Sequence, residues 1–133
     1  MTKKLQSIIL TCAMLINLTA IMPINAFAAS GSSRTYDKDG YSVTYIVGSE
    51  WDKNQTIRIT LKNTGEEPIL NWALKYDNLG SVSDIWNAYV AESTDEYIVV
   101  KNNGYNFEIP SGKSISFGYT LSYEEQAEPE DIE

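Results

Sequence analysis

From Tyr41 onward, apolar and polar positions alternate along the chain with a period of two. Tyr41, Val43 and Tyr45 alternate with Ser42 and Thr44, and Ile57, Ile59 and Leu61 with Thr56, Arg58 and Thr60. Leu70, Trp72, Leu74 and Tyr76 alternate with Asn71, Ala73 and Lys75. Ile115, Phe117, Tyr119 and Leu121 alternate with Ser114, Ser116, Gly118 and Thr120. This is the repeat of a strand buried on one face, so each run predicts a strand with its large apolar members pointing inward. Shorter strands are predicted at Ser81–Trp86, Tyr97–Val100 and Tyr105–Ile109. Turn signals separate the runs: Lys62-Asn63-Thr64-Gly65, Asn78-Leu79-Gly80, Asn102-Asn103-Gly104 and Pro110-Ser111-Gly112. No stretch sustains a helical stripe. Several short strands joined by turns predict an all-β fold, a two-sheet antiparallel sandwich of jelly-roll or Ig-like kind.

The ends fall outside this pattern. Lys3 and Lys4 precede an uncharged, mostly apolar run, Ile8–Ile24, and Ala26-Phe27-Ala28 supplies the small-x-small pattern of a cleavage site. Residues 1–28 are therefore read as a signal peptide cleaved near Ala28, which predicts a secreted, extracellular protein of bacterial type. Residues 29–39 read as a polar leader and 40–123 as the folded module. Residues 124–133 carry six acids and no base, and read as a disordered acidic tail or the stub of a linker.

Composition narrows the chemistry. The chain has no histidine, and its one cysteine, Cys12, lies inside the signal peptide. Beyond residue 28 it cannot build a Ser-His-Asp triad, a thiolate nucleophile or an imidazole or thiolate metal site. No catalytic residue, metal or cofactor is predicted. Asp37-Lys38-Asp39-Gly40 lacks the further ligands of a calcium loop and reads as a turn. Glu66-Glu67 and Asp95-Glu96 lie beside turns and read as solvated loops rather than a glycosidase pair. Ten bases face eighteen acids, for a net charge of −8. Such a surface argues against nucleic acid and anionic membranes and leaves a neutral polymer as partner. The protein is expected to be a monomer.

The aromatics are the informative feature. Trp72 shares parity with Leu70, Leu74 and Tyr76 and is expected in the core. Trp51, Trp86 and Tyr105 stand among polar and turn residues, where exposure is expected, and exposed rings mark binding surfaces. A plug over one end of the sandwich is the bland alternative for Trp51, and a sheet-edge cover that for Tyr105. A sugar ring has apolar C–H faces and a hydroxyl rim, so a flat side chain stacks on it. Burying ~100 Å² per ring contributes roughly 2–3 kcal/mol before losses. Asn87, Asn106 and Thr120 are placed to meet the rim.

With these residues in order, Tyr41–Tyr123 resembles the family 2 carbohydrate-binding modules of bacterial cellulases and xylanases. The segments carrying the likeness are Val43-Thr44-Tyr45, Ile57–Gly65, Ile69–Leu74, Ile85-Trp86-Asn87-Ala88, Gly104-Tyr105-Asn106 and Ile109–Tyr119. The resemblance implies a β-sandwich that binds cellulose, or xylan if a ring is turned. Trp72 would be the buried tryptophan, Trp51, Trp86 and Tyr105 the aromatic strip, and Asn87, Ser116 and Thr120 the hydrogen-bonding positions. This chain departs from the family in lacking the disulfide many members have, in carrying Tyr105 where tryptophan is usual, and in its Asp52-Lys53-Asn54-Gln55 turn. An Ig-like protein-interaction module and a small hydrolase are the rival classes.

Overall fold

The computed structural model describes residues 30–133, and the signal peptide read in residues 1–28 lies outside them. Ten strands are present: β1 (Ser33–Lys38), β2 (Tyr41–Trp51), β3 (Asn54–Asn63), β4 (Ile69–Leu70), β5 (Ala73–Asp77), β6 (Ser81–Trp86), β7 (Ala88–Ser93), β8 (Tyr97–Asn102), β9 (Glu108–Ile109) and β10 (Ser114–Ser122). A five-stranded sheet runs β1-β2-β3-β10-β6, a three-stranded sheet β5-β8-β7, and β4 pairs with β9. All pairings are antiparallel. The expected all-β sandwich is the observed fold.

The alternating runs form the interface between the sheets. Val43, Tyr45, Ile57, Ile59, Leu61, Phe117 and Tyr119 of the larger sheet pack against Leu74, Tyr76, Ile98 and Val100 of the smaller one. Trp72 is buried as expected and stacks on Phe117, with ring centroids 5.5 Å apart and planes at 16°. Its indole Nε1–H donates to the Asn106 carbonyl at 2.7 Å, which satisfies the polar atom that burial would otherwise strand. Tyr76 and Tyr119 meet hydroxyl to hydroxyl across the sheets at 3.1 Å. Buried Asn63 donates to the carbonyls of Glu67 and Ile109 and accepts from Gly65 N, so one side chain organises the β3–β4 turn.

Four expectations are corrected. The polar leader is a strand: β1 pairs with β2 over its whole length and buries Tyr36. The run Leu70–Tyr76 is two strands, because Asn71 adopts φ 52° and breaks the alternation, leaving Leu70 exposed. The strand expected at Tyr105–Ile109 shrinks to Glu108–Ile109. The acidic tail is packed rather than disordered. Ile132 is fully buried and bridges to Tyr76, while Lys75 and Glu133 exchange backbone hydrogen bonds of 2.7 and 3.0 Å. Pro129 is buried too, and its carbonyl accepts from Arg34 and from the Tyr36 hydroxyl. The segment thus lies between β1 and β5 and covers one open side of the sandwich. Two apolar side chains and edge-strand pairing outweigh the local composition, which by itself favours solvation.

Candidate functional site

Parity alone would turn both Trp51 and Trp86 into the core. In β2 the inward residues are Val43, Tyr45 and Val47, so an unbroken strand would bring Trp51 inward as well. The β2–β3 register, however, shifts between Val47 and Glu50. Gly48 and Ser49 together oppose Thr56, a β-bulge that adds one residue and reverses every side chain beyond it. Ser49 N donates to Thr56 Oγ1 at 2.8 Å, and a Cβ on Gly48 would lie 2.4 Å from that oxygen. A side chain at 48 would therefore displace the Thr56 hydroxyl that accepts from Ser49 N. Beyond it Glu50 pairs with buried Gln55, and Trp51 pairs with Asn54 on the outer face. Asp52 and Lys53 close the hairpin with φ of 42° and 61°, the left-handed pair of a type I′ turn.

The same device serves Trp86. Val82 of β6 faces inward opposite Leu121, but the register to β10 shifts between Gly118 and Thr120. Asp84, at φ 50°, is the extra residue. Trp86 consequently emerges on the outer face opposite Gly118, and its indole lies over that glycine. A Cβ at 118 would sit 2.6 and 2.8 Å from two ring atoms and 2.6 Å from the Ile57 carbonyl. Trp51 and Trp86 remain 46 % and 43 % exposed, so each presents a ring surface to solvent. Three strand spacings and four residues separate them, which places their backbones on the order of 20 Å apart. Only an extended ligand touches both.

Tyr105 is 97 % exposed at the tip of the β8–β9 loop. The loop is held by asparagine side chains, because composition there supplies short amides that bond to nearby backbone. Asn102 Oδ1 accepts from Gly104 N at 3.0 Å, Asn103 Oδ1 from Tyr105 N at 3.1 Å, and Asn106 Oδ1 from Asn103 N at 3.1 Å. Asn106 Nδ2 donates to the Asn87 carbonyl at 2.7 Å, tying the loop to the residue after Trp86. Asn87 sits at φ 59° where the chain leaves β6 for β7, and its Nδ2 donates to the Ser116 carbonyl at 3.2 Å. Ser116 itself bonds Thr60 through the hydroxyls at 2.8 Å. Asn87 and Ser116 are thus tied into the scaffold at the site, and Thr120 stands on the outer face between the two tryptophans.

Between Trp86 and the β2 bulge runs an open groove of about 530 Å³ lined by Ile46, Thr56, Arg58, Asp84, Trp86 and Thr120. Arg58 and Asp84 were missed in the sequence reading. Arg58 was legible from the alternation Ile57-Arg58-Ile59, whereas Asp84 comes outward only because of the bulge. Tyr89 and Phe107 are further exposed aromatics, 50 % and 42 % accessible, that the sequence reading also passed over. Among the described residues no cluster of histidine, cysteine or acidic side chains is arranged to hold a metal ion.

Comparison with known proteins identifies the family. The family described as "Cellulose binding domain" matches residues 41–133. Endoglucanase A of Thermobispora bispora is 31 % identical over 78 residues, which is 57 % of this chain and 17 % of that enzyme. Chitinase ChiA74 from Bacillus thuringiensis matches in structure with TM-score 0.61 and 32 % identity, over 71 % of this chain and 15 % of that one. The chitin-binding domain of Chi18aC from Streptomyces coelicolor matches with TM-score 0.59 and 26 % identity, over 72 % of this chain and 90 % of that domain. The chain thus spans about a sixth of the enzymes it resembles and nearly all of the isolated binding domain. It belongs to the family 2 carbohydrate-binding modules, a family of non-catalytic polysaccharide-binding domains.

Proposed function

We propose that the protein is a secreted module that anchors to the surface of a β-linked polysaccharide, cellulose foremost, through Trp51, Trp86 and Tyr105. The observation carrying this reading is the pair of bulges, each of which delivers one tryptophan to the same outer sheet face. On this reading they act together with Tyr105, on a loop tied to Asn87, as an open platform rather than a pocket, which suits a polymer surface. Asn87, Ser116, Thr120, Arg58 and Asp84 border the platform and offer hydrogen bonds to hydroxyl groups. Three rings at roughly 2–3 kcal/mol each, less ordering losses, support an affinity on the order of micromolar. The export signal read in residues 1–28 supports an extracellular role.

A second reading, chitin, is favoured by the similarity to a chitinase at 32 % identity and to a chitin-binding domain at 26 %. Xylan stays as the alternative for a site with a turned ring. Depletion from solution by microcrystalline cellulose, chitin beads and insoluble xylan separates these ligands. Retention on cellulose above the other two is the expected result, and no depletion by any of them overturns the binding reading. Trp86→Ala is expected to fold normally and lose retention about ten-fold.

A further inference from the structure

The strand that carries Trp51 is held at its far end by the C-terminal segment. Beyond the bulge, Glu50 and Trp51 must point to opposite faces, since successive strand residues alternate. Whatever holds Glu50 on the inner side therefore holds Trp51 on the outer. Tyr123 OH donates to Glu50 Oε1 at 3.1 Å, and Gln126 Nε2 donates to the same oxygen and, at 3.0 Å, to the Tyr123 hydroxyl. Tyr123 N donates to the Lys53 carbonyl at 3.0 Å, at the tip of the hairpin that Trp51 opens. The Tyr123 ring is buried, so this hydroxyl is delivered from a fixed base. Past Gln126 the segment is anchored again, by Pro129 and Ile132.

We propose that Tyr123 and Gln126 are positioning residues of the polysaccharide-binding face. They clamp Glu50 and the Lys53 turn, and so fix the register that presents Trp51 beside the groove. On this account the C-terminal segment belongs to the site without touching ligand. On the β3 side the hairpin is held by β10, where Ser122 pairs with Asn54 and donates to its Oδ1 at 2.5 Å. On the β2 side Tyr123 and Gln126 hold Glu50. The inference rests on Trp51 being part of the binding face.

The test compares the double variant Tyr123→Phe/Gln126→Ala, which keeps the buried ring, with Trp51→Ala and with the triple combination. Retention is read on microcrystalline cellulose and on chitin beads, and folding by thermal melting. The double variant is expected to melt as a folded protein and to lose most of the retention that Trp51→Ala loses, about ten-fold. In the Trp51→Ala background the same two substitutions are expected to do nothing more. Unchanged retention in the double variant, with Trp51→Ala weakened, overturns the inference. So does an equal further loss in the Trp51→Ala background, which marks a general destabilisation. If Trp51→Ala itself retains full binding, it is the role of Trp51 in binding that fails. The brace is then judged by acrylamide quenching in a Trp86→Phe background, where Trp51 and buried Trp72 are the remaining tryptophans. Increased quenching in the double variant supports the brace, and unchanged quenching overturns it.

Discussion

The indole of Trp86 occupies the space in which a side chain at Gly118 would stand. Gly118 faces outward yet is buried, and what covers it is the tryptophan opposite. The glycine lets a large ring settle against the sheet while its other surface faces solvent. Gly118→Ala is expected to push the ring off the sheet and press on the Ile57 carbonyl, destabilising by about 1–3 kcal/mol. Retention on the preferred polysaccharide should fall with it. Full retention, with an unchanged near-ultraviolet circular dichroism spectrum, would show that the contact does not position Trp86.

The β2 bulge makes a sharper prediction. Deleting Ser49 removes the extra residue and restores plain alternation, which returns Trp51 toward the inner side. The deletion is expected to match Trp51→Ala in retention. Thr56→Val is a milder probe that removes the acceptor for Ser49 N, at about 1 kcal/mol of stability. A melting series with pull-down on the same samples checks both. Wild-type retention after deletion of Ser49 would sink the parity argument.

The C-terminal segment separates two kinds of stabilisation. Among the described residues all four ion pairs join a body cation to an acid of this segment: Lys53–Glu124, Arg34–Glu128, Lys38–Asp131 and Lys75–Glu133. Most of these partners are well exposed, so each pair contributes at most about 1 kcal/mol and is screened by salt. Ile132 is fully buried, and Ile132→Ala should cost about 2–5 kcal/mol. Lys38→Ala, by contrast, should shift the melting temperature little, although Lys38 and Asp131 approach to 2.5 Å. A strong fall of melting temperature in high salt would reverse this ranking.

Alkaline pH acts on the core. Burial pushes the Tyr36 hydroxyl up to about 12, and burial likewise raises Tyr45, Tyr76 and Tyr119 above the ordinary phenol value. These groups stay protonated in the fold after they ionise in the unfolded chain, near pH 10. Their contribution is therefore intact below pH 10 and is lost as pH rises from there through 12 and beyond. Thermal melts across this range, followed with tyrosinate absorbance, should show stability falling steeply above pH 10 and tyrosinate appearing with unfolding. Ionisation of all nine tyrosines near pH 10 in the still-folded protein would contradict it.

Much of the fold was legible because burial on one face leaves a period-two signature that needs no knowledge of partners. Ile57-Arg58-Ile59 and Phe117-Gly118-Tyr119 announce their inward residues, and Trp72 reads as core on the same ground. The same logic misplaced Leu70, because a single left-handed residue, Asn71, breaks the strand without altering the apolar pattern. It misread Ile132 as well, since an isolated isoleucine among acids carries no sign of the edge strand that will receive it.

By itself the sequence determined the sandwich, its core and the three rings worth suspecting, since local alternation and turn chemistry express which faces can be buried. Only the tertiary structure decided where Trp51 and Trp86 point. A β-bulge exists between two strands, not within one, and neither Gly48 at the first bulge nor Gly118 beneath the Trp86 ring says anything until its neighbour across the sheet is known.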